Sequence, residues 1–165
     1  MSPDLPAGTS CYVDANVLYY HFVDTPPFSA PCTAVVERTA AGDLPAACSH
    51  NVIAEVLHKV MLAEVVARYG ESRAGLVGRL NRDPGMLRGL TRHIDTAREL
   101  AALPLRLLPV TQADLLDAAV IASDVGLLMN DATIVAQMRR HGVTRLLTND
   151  DDFDRVPGLS VWKPR

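Results

Sequence analysis

The stretch RLLTNDDDFD, Arg145 to Asp154, breaks an apolar run at Thr148 and Asn149 and then sets four carboxylates among five residues. Two unit charges about 4 Å apart repel by roughly 1 kcal/mol in water and about 4 kcal/mol at an effective dielectric near 20. Such a turn either stays in solvent or receives a cation. Three more acids stand where chain elements begin or end: Asp14 in YVDANVL, Glu55 in SHNVIAEV and Asp131 in NDATIV. Oxygen donors without His or Cys partners suit hard cations, Mg²⁺ or Mn²⁺, rather than zinc. One or two such ions at a phosphodiester can polarise the phosphoryl oxygen, activate water and stabilise the leaving oxygen.

Whether the acids meet depends on the elements that carry them. SCYVDA reads as a strand ending at Asp14, and NVLYYHF as the start of a short helix. SAPCTAVVERTAAG has Ser29 as N-cap, Pro31 in the first turn and Gly42 as a stop. LPAACS is a short strand, followed by a long helix capped by Ser49 and stopped by Gly70. The middle of the chain reads as two helices broken at Asp83-Pro84-Gly85. LRLLPV is a strand, and Thr111 caps the helix after it. NDATIVAQMRRHG is a further helix, and TRLLT and LSVW close the chain as strands. Strands separated by helices imply parallel pairing: an α/β three-layer sandwich with a mostly parallel central sheet flanked by helices, in one domain over residues 1–165.

In open α/β sheets, ligands bind at the carboxyl ends of strands. Asp14 and Asp150 then point to one edge. Asp131 shares a helix face with Ile134, Val135 and Met138; it is either an N-cap or an acid brought against the core. Glu55 lies opposite the stripe Ile53, Val56, Leu57, Val60 and Met61, but Leu62 and Val66 share its side. A helix apolar on two sides packs on two surfaces.

The 165 residues carry a net charge of −3, which does not advertise nucleic acid. The distribution says more: Arg68 to Arg106 holds eight arginines against four acids. Cys11, Cys32 and Cys48 are odd in number and widely spaced, against a disulfide framework or zinc site and for a reducing compartment. With no signal-like N-terminus and no uninterrupted apolar span, the expectation is a cytoplasmic protein without membrane contact.

Four motifs in order resemble the PIN-domain family, and within it the VapC-type ribonuclease toxins of toxin–antitoxin pairs. They are Val13-Asp14-Ala15-Asn16-Val17-Leu18, then Ser49 six residues before Glu55, then Asn130-Asp131-Ala132 through Gly142, then Thr148-Asn149-Asp150-Asp151-Asp152-Phe153. The resemblance implies a metal-dependent endoribonuclease in which Asp14, Glu55, Asp131 and Asp150 bind Mg²⁺ or Mn²⁺ and position water. Asn16 and Thr148 would orient these ligands, and Asp152 would be a further ligand or a partner to the turn. Asp151 and Asp154 are read as solvated. The resemblance also implies an RNA substrate, a cognate antitoxin and a homodimer. The stretch between Glu55 and Asp131 is longer than in compact toxins, and its segment around 68–106 is an Arg-rich helical insertion. Arg79, Arg82, Arg88 and Arg92 are its candidate phosphate contacts, with Arg88 and Arg92 expected one helical turn apart. The bland alternative is a solvated face with local pairs such as Asp95 with Arg98.

Two other functions compete. Asp-based phosphoryl-transfer domains also place Asp at strand ends, but need a second Asp two residues after the first or a late lysine. Here that position is Asn16, and Lys163 lies beyond the last strand. An inactive interaction module of the same fold is disfavoured by the intact acidic set. Tyr19 and Tyr20 could stack bases, with core packing as the other reading.

Overall fold

The run CYV forms β1 (Cys11–Val13), buried along its whole length, as an interior strand of a parallel sheet must be. The computed structural model describes residues 5–70, 72 and 74–165, so the chain's first four residues and the charges of Glu71 and Arg73 lie outside the described residues. After β1 come α1 (Ala15–Phe22), α2 (Ser29–Ala40), β2 (Ala46–Ser49) and α3 (His50–Tyr69). The Arg-rich segment folds as α4 (Leu76–Arg82), a 3₁₀ turn (Pro84–Leu87) and α5 (Arg92–Ala102). Then follow β3 (Arg106–Leu108), α6 (Gln112–Val125), α7 (Met129–Arg140), β4 (Arg145–Leu147), a second 3₁₀ turn (Asp151–Arg155) and β5 (Ser160–Trp162).

The sheet has the order β3-β2-β1-β4-β5, and all four pairings are parallel rather than mostly so. From β1 the chain steps outward to β2 and β3, then returns to the far side of β1 for β4. Crossovers between parallel strands are right-handed, so the reversal puts α6 and α7 on the face opposite α1 to α5. Packing agrees: α1, α2, α3 and α5 pack among themselves, and α6 with α7. The strand order reverses between β1 and β4, and the crevice at their carboxyl ends is where such sheets take ligands.

The caps at Ser49 and Thr111 form as the sequence indicates. Ser49 accepts from Val52 N at 3.1 Å, and Thr111 forms a reciprocal capping box with Asp114. Ser29 differs: α2 begins at Ser29 itself, whose hydroxyl accepts from Thr25 N at 2.6 Å. α5 has no cap of its own; Glu64 of α3 accepts from Thr91 N and Arg92 N, placing a carboxylate at the positive end of the helix dipole.

α3 does pack on two surfaces. Val52, Val56, Val60 and Ala63 join the main core under the sheet. Val65 joins a separate small core with Leu76, Leu80 and Leu90, flanked by Met61, Leu62 and Val66. Arg88 and Arg92 are not one helical turn apart. Gly89, at φ +71°, breaks the chain between them, so Arg88 lies in extended backbone while Arg92 starts α5. Arg92 donates to Phe22 O and Arg79 to Ser72 O, and Asp95 pairs with Arg98.

The three cysteines are free, and burial pushes each thiol up to about 12. Among the described residues no single helix is long and apolar enough to cross a membrane; α6 and α7 would pass only as a pair, and they bend by 115° at their junction.

Asp114, 1% exposed, takes a two-pronged contact from Arg140 at 2.6 and 2.8 Å besides its capping bonds. Burial works against its charge, but the Thr111 bonds and Arg140 outweigh it and hold the carboxyl below the usual range. Asp114→Ala leaves Arg140 without its fork and Thr111 without its capping partner. Urea unfolding should show a loss of about 2–4 kcal/mol, against about 0.5 kcal/mol or less for the exposed Asp124→Ala.

Candidate active site

The carboxyl ends of β1 and β4 are stitched by one polar network. Asp14 Oδ1 accepts from Ala15 N at 2.6 Å. Its Oδ2 accepts from Asn16 Nδ2 at 2.6 Å and from Thr148 Oγ1 at 2.7 Å. Thr148 Oγ1 accepts in turn from Asn16 Nδ2 at 2.9 Å and Asp150 N at 3.0 Å. Asn16 Oδ1 receives Asn149 N at 3.0 Å. Asp14 is buried, and desolvation raises its pKa against the opposing bonds from Thr148 and Ala15; nearby Glu55 raises it further.

The turn after β4 bends the acids back toward this point. Asp150 Oδ1 accepts from Asp152 N at 2.8 Å, capping the 3₁₀ turn and aligning the two side chains. One carboxylate oxygen from each of Asp131, Asp150 and Asp152 lies within 4.8 Å of the others. Asp131 is not an N-cap. Its helix starts at Met129 after Leu128, which leaves Asp131 in the first turn, with Ile134, Val135 and Met138 buried behind it. Its carboxyl is pushed up to about 6, first by desolvation and then by Asp150, Asp14, Asp152 and Glu55. All five carboxylates therefore share one electrostatic neighbourhood. The donor set is oxygen only, with no imidazole or thiolate in the group, and three converging carboxylates suit Mg²⁺ or Mn²⁺.

Glu55, 40% exposed, stands at the rim and pairs with Lys59 at 2.6 Å. Together with Leu128, Met129, Asn130, Asp131 and Asp150 it lines one open pocket. Lys59 is a residue that the reading of the sequence passed over, although a Glu followed four residues later by Lys is a recognised helical pair. Asp152 also pairs with Arg155. Asp151 and Asp154 are exposed, yet both pair with Lys163, whose side chain is 12% exposed. They are tethered rather than merely solvated, and Lys163 holds Asp151 below the usual carboxylate range. Of the candidate phosphate contacts, Arg82, Arg88 and Arg92 make no hydrogen bond or ion pair to these carboxylates among the described residues, and Arg79 and Arg92 donate to backbone carbonyls instead.

Because the folded Asp131 carboxyl titrates near 6 and an unperturbed one near 3.8, its charge disfavours the metal-free fold above pH 6, and the penalty vanishes below about pH 4. Asp131→Asn should therefore melt a few degrees above wild type in EDTA at pH 7 to 8, the gap closing as pH falls to 4. A variant that melts lower across that range would mean that Asp131 mainly supports its helix.

Comparison with solved structures places this arrangement in a known fold. A toxin–antitoxin complex from Klebsiella pneumoniae aligns at TM-score 0.61 and 18% identity, covering 94% of this chain and 98% of that one. VapC20 of Mycobacterium tuberculosis, a Sarcin-Ricin loop cleaving toxin, aligns at 0.61 and 18%, covering 90% and 96%. VapBC2 of Rickettsia felis, bound to a DNA fragment from its promoter, aligns at 0.57 and 15%, covering 94% and 98%. No curated protein sequence matches the chain significantly. The family profile described as PIN domain matches residues 11–159, from the first residue of β1 to the residue before β5. That span takes in both strand ends and every acid of the cluster, and the chain belongs to the PIN domain family.

Proposed function

We propose that this protein is a metal-dependent endoribonuclease, the toxin of a type II toxin–antitoxin pair, built as one domain over residues 1–165. The observation that carries the reading is the gathering of Asp131, Asp150 and Asp152 within 4.8 Å at the crevice where the strand order reverses. Family membership and the toxin neighbours support it. Asp14, Asp131, Asp150 and Asp152 would hold Mg²⁺ or Mn²⁺, with Glu55 at the rim. A divalent cation there supplies charge neutralisation and an acidified water for attack on phosphorus. The chain's own share is alignment. Thr148 and Asn16 fix Asp14, and Asp150 positions Asp152. Asp131 gives up its proton on loading, so affinity should weaken below pH 6.

A cognate antitoxin would restrain the enzyme by setting an arginine against the acids, a charge-assisted pair that competes with metal. A second copy of the chain would cover the exposed Leu116 (64%) and Val120 (60%) on α6. The protein would work in the cytoplasm. The inactive-module reading is disfavoured, since no member of the acidic set is missing.

EDTA should abolish RNA cleavage, and the products should carry 5′-phosphate and 3′-hydroxyl ends. Cleavage that persists in excess EDTA, or that leaves 2′,3′-cyclic phosphate, would refute the metal-water mechanism. Asn16→Ala should cost about 10–100-fold, as changes behind metal ligands do, and Asp14→Asn more than that with the fold retained.

RNA must approach an acidic centre, so the basic 68–106 insertion is the proposed phosphate surface. Arg82 and Arg88 are exposed, whereas Arg79 and Arg92 also brace backbone. In an Asp14→Asn background, Arg82→Gln with Arg88→Gln should flatten the slope of log affinity against log salt by roughly 1.4, two single-strand phosphate contacts. Unchanged affinity and slope would move the RNA path to another side.

A further inference from the structure

We infer that the groove between α1, α3 and α4 seats one nucleobase of the substrate, beside the scissile phosphate, while Lys59 at its rim takes the adjoining phosphate. The inference rests on the ribonuclease reading above. The groove has a volume of about 350 Å³, and its apolar walls include Tyr19, Tyr20, Leu62, Leu76 and Val77. Asn16 also lines it, and the same Asn16 amide donates to Asp14. A phosphate held at the carboxylates therefore has its neighbouring nucleoside at the groove mouth.

The walls suit a base. Single-stranded RNA is recognised through unstacked bases packed on aromatic and apolar surfaces and bonded at their edges. Tyr20 is held in place by stacking on Phe28, at 5.0 Å between ring centroids, and its hydroxyl accepts from Asn149 Nδ2 at 3.3 Å. That leaves the hydroxyl proton to donate. Thr25 adds a second hydroxyl, whose proton goes to Val23 O and whose oxygen is left to accept. Val77, which also lines the groove, stands 51% exposed, an apolar side chain in water. The volume is that of a small-ligand site. A partner helix, about 10–12 Å across with its side chains, needs a longer trough.

Lys59 supplies the charge. The sequence has two lysines, and Lys163 is engaged by Asp151 and Asp154. Lys59 lines the groove, is 41% exposed and pairs with Glu55. In the metal-free protein its ammonium offsets Glu55. Once a cation neutralises the acids, the ammonium is free to turn to a phosphate without leaving the rim.

The test uses the full chain and a short single-stranded oligoribonucleotide spanning a site that the wild type cuts in total RNA from its own cells. Bases are removed one position at a time. For the wild type, one abasic position next to the cut should raise KM about 10-fold or more, the worth of one stacked base, with kcat little changed. Val77→Asp should raise KM on the intact strand, and removing the same base should then add nothing, as expected when two changes delete one interaction. Lys59→Met should raise KM and flatten its salt slope by roughly 0.7. The abasic series needs no variant and stands if either substitution fails to fold. No position-dependent penalty, or penalties that simply add in Val77→Asp, would overturn the inference and leave the nuclease reading intact. Variants with wild-type RNA kinetics that lose antitoxin binding would overturn it in favour of a protein segment in the groove. A wild type that cuts no RNA with Mg²⁺ or Mn²⁺ would remove both readings.

Discussion

The hydroxyl of Thr148 stands between two neighbouring strands, donating to Asp14 and accepting from Asn16 and from the amide of Asp150. Without that hydroxyl, Asp14 would lose a bond that opposes the cost of its burial, and the turn carrying Asp150 and Asp152 would lose its anchor. Everything upstream serves the same arrangement. The crossover that reverses direction after β3 brings β4 beside β1, and the reciprocal bonds then fix their ends to one another. Buried polar networks are worth having only when every member is satisfied. This one is satisfied through three residues that lie close in space and more than 130 apart in sequence at the Asn16–Thr148 bond.

Strand ends, helix starts and most stops were legible because each is a local matter. Ser49 and Thr111 cap because a hydroxyl followed by an apolar helix has few other uses, and Asp14 and Thr148 follow three-residue strands that end buried. What stayed hidden depends on distant contacts or on single backbone angles. Asp131 was ambiguous because Asn130-Asp131 looks like a helix start, while the helix begins one residue earlier at Met129. Arg88 and Arg92 share a helical spacing on paper, and one positive φ at Gly89 cancels it. Lys163 lies just beyond the last strand in the sequence, and nothing local shows that parallel β5 brings it alongside the acidic turn. The carboxylates were visible as candidates; only the switch in strand order shows why they meet.

The charges around the site are handled in two different ways. On the turn, Lys163 and Arg155 neutralise Asp151, Asp154 and Asp152 from the protein side. At the centre, no ion pair among the described residues engages Asp14 or Asp131; Asp14 is held by backbone, hydroxyl and amide groups, while Asp131 faces the other carboxylates. An arrangement of that kind is strained when the acids are ionised and relaxed when a proton or a cation joins them. The fold thus stores a demand for positive charge at one spot.

The small core of Val65, Leu76, Leu80 and Leu90 is separate from the apolar mass beneath the sheet. It joins the rest chiefly along α3, helped by the Glu64 contacts to α5 and the Arg68 bond to Gly89 O. A cluster of that size should open as its own cooperative unit, at a lower free energy than the strands. Amides of α4 should then exchange with solvent through an event that leaves β1 and β4 protected. Substitutions in α4 are correspondingly insulated from the sheet, so this part of the molecule is where sequence can drift, and recognition diversify, while the hydrolytic machinery stays unchanged.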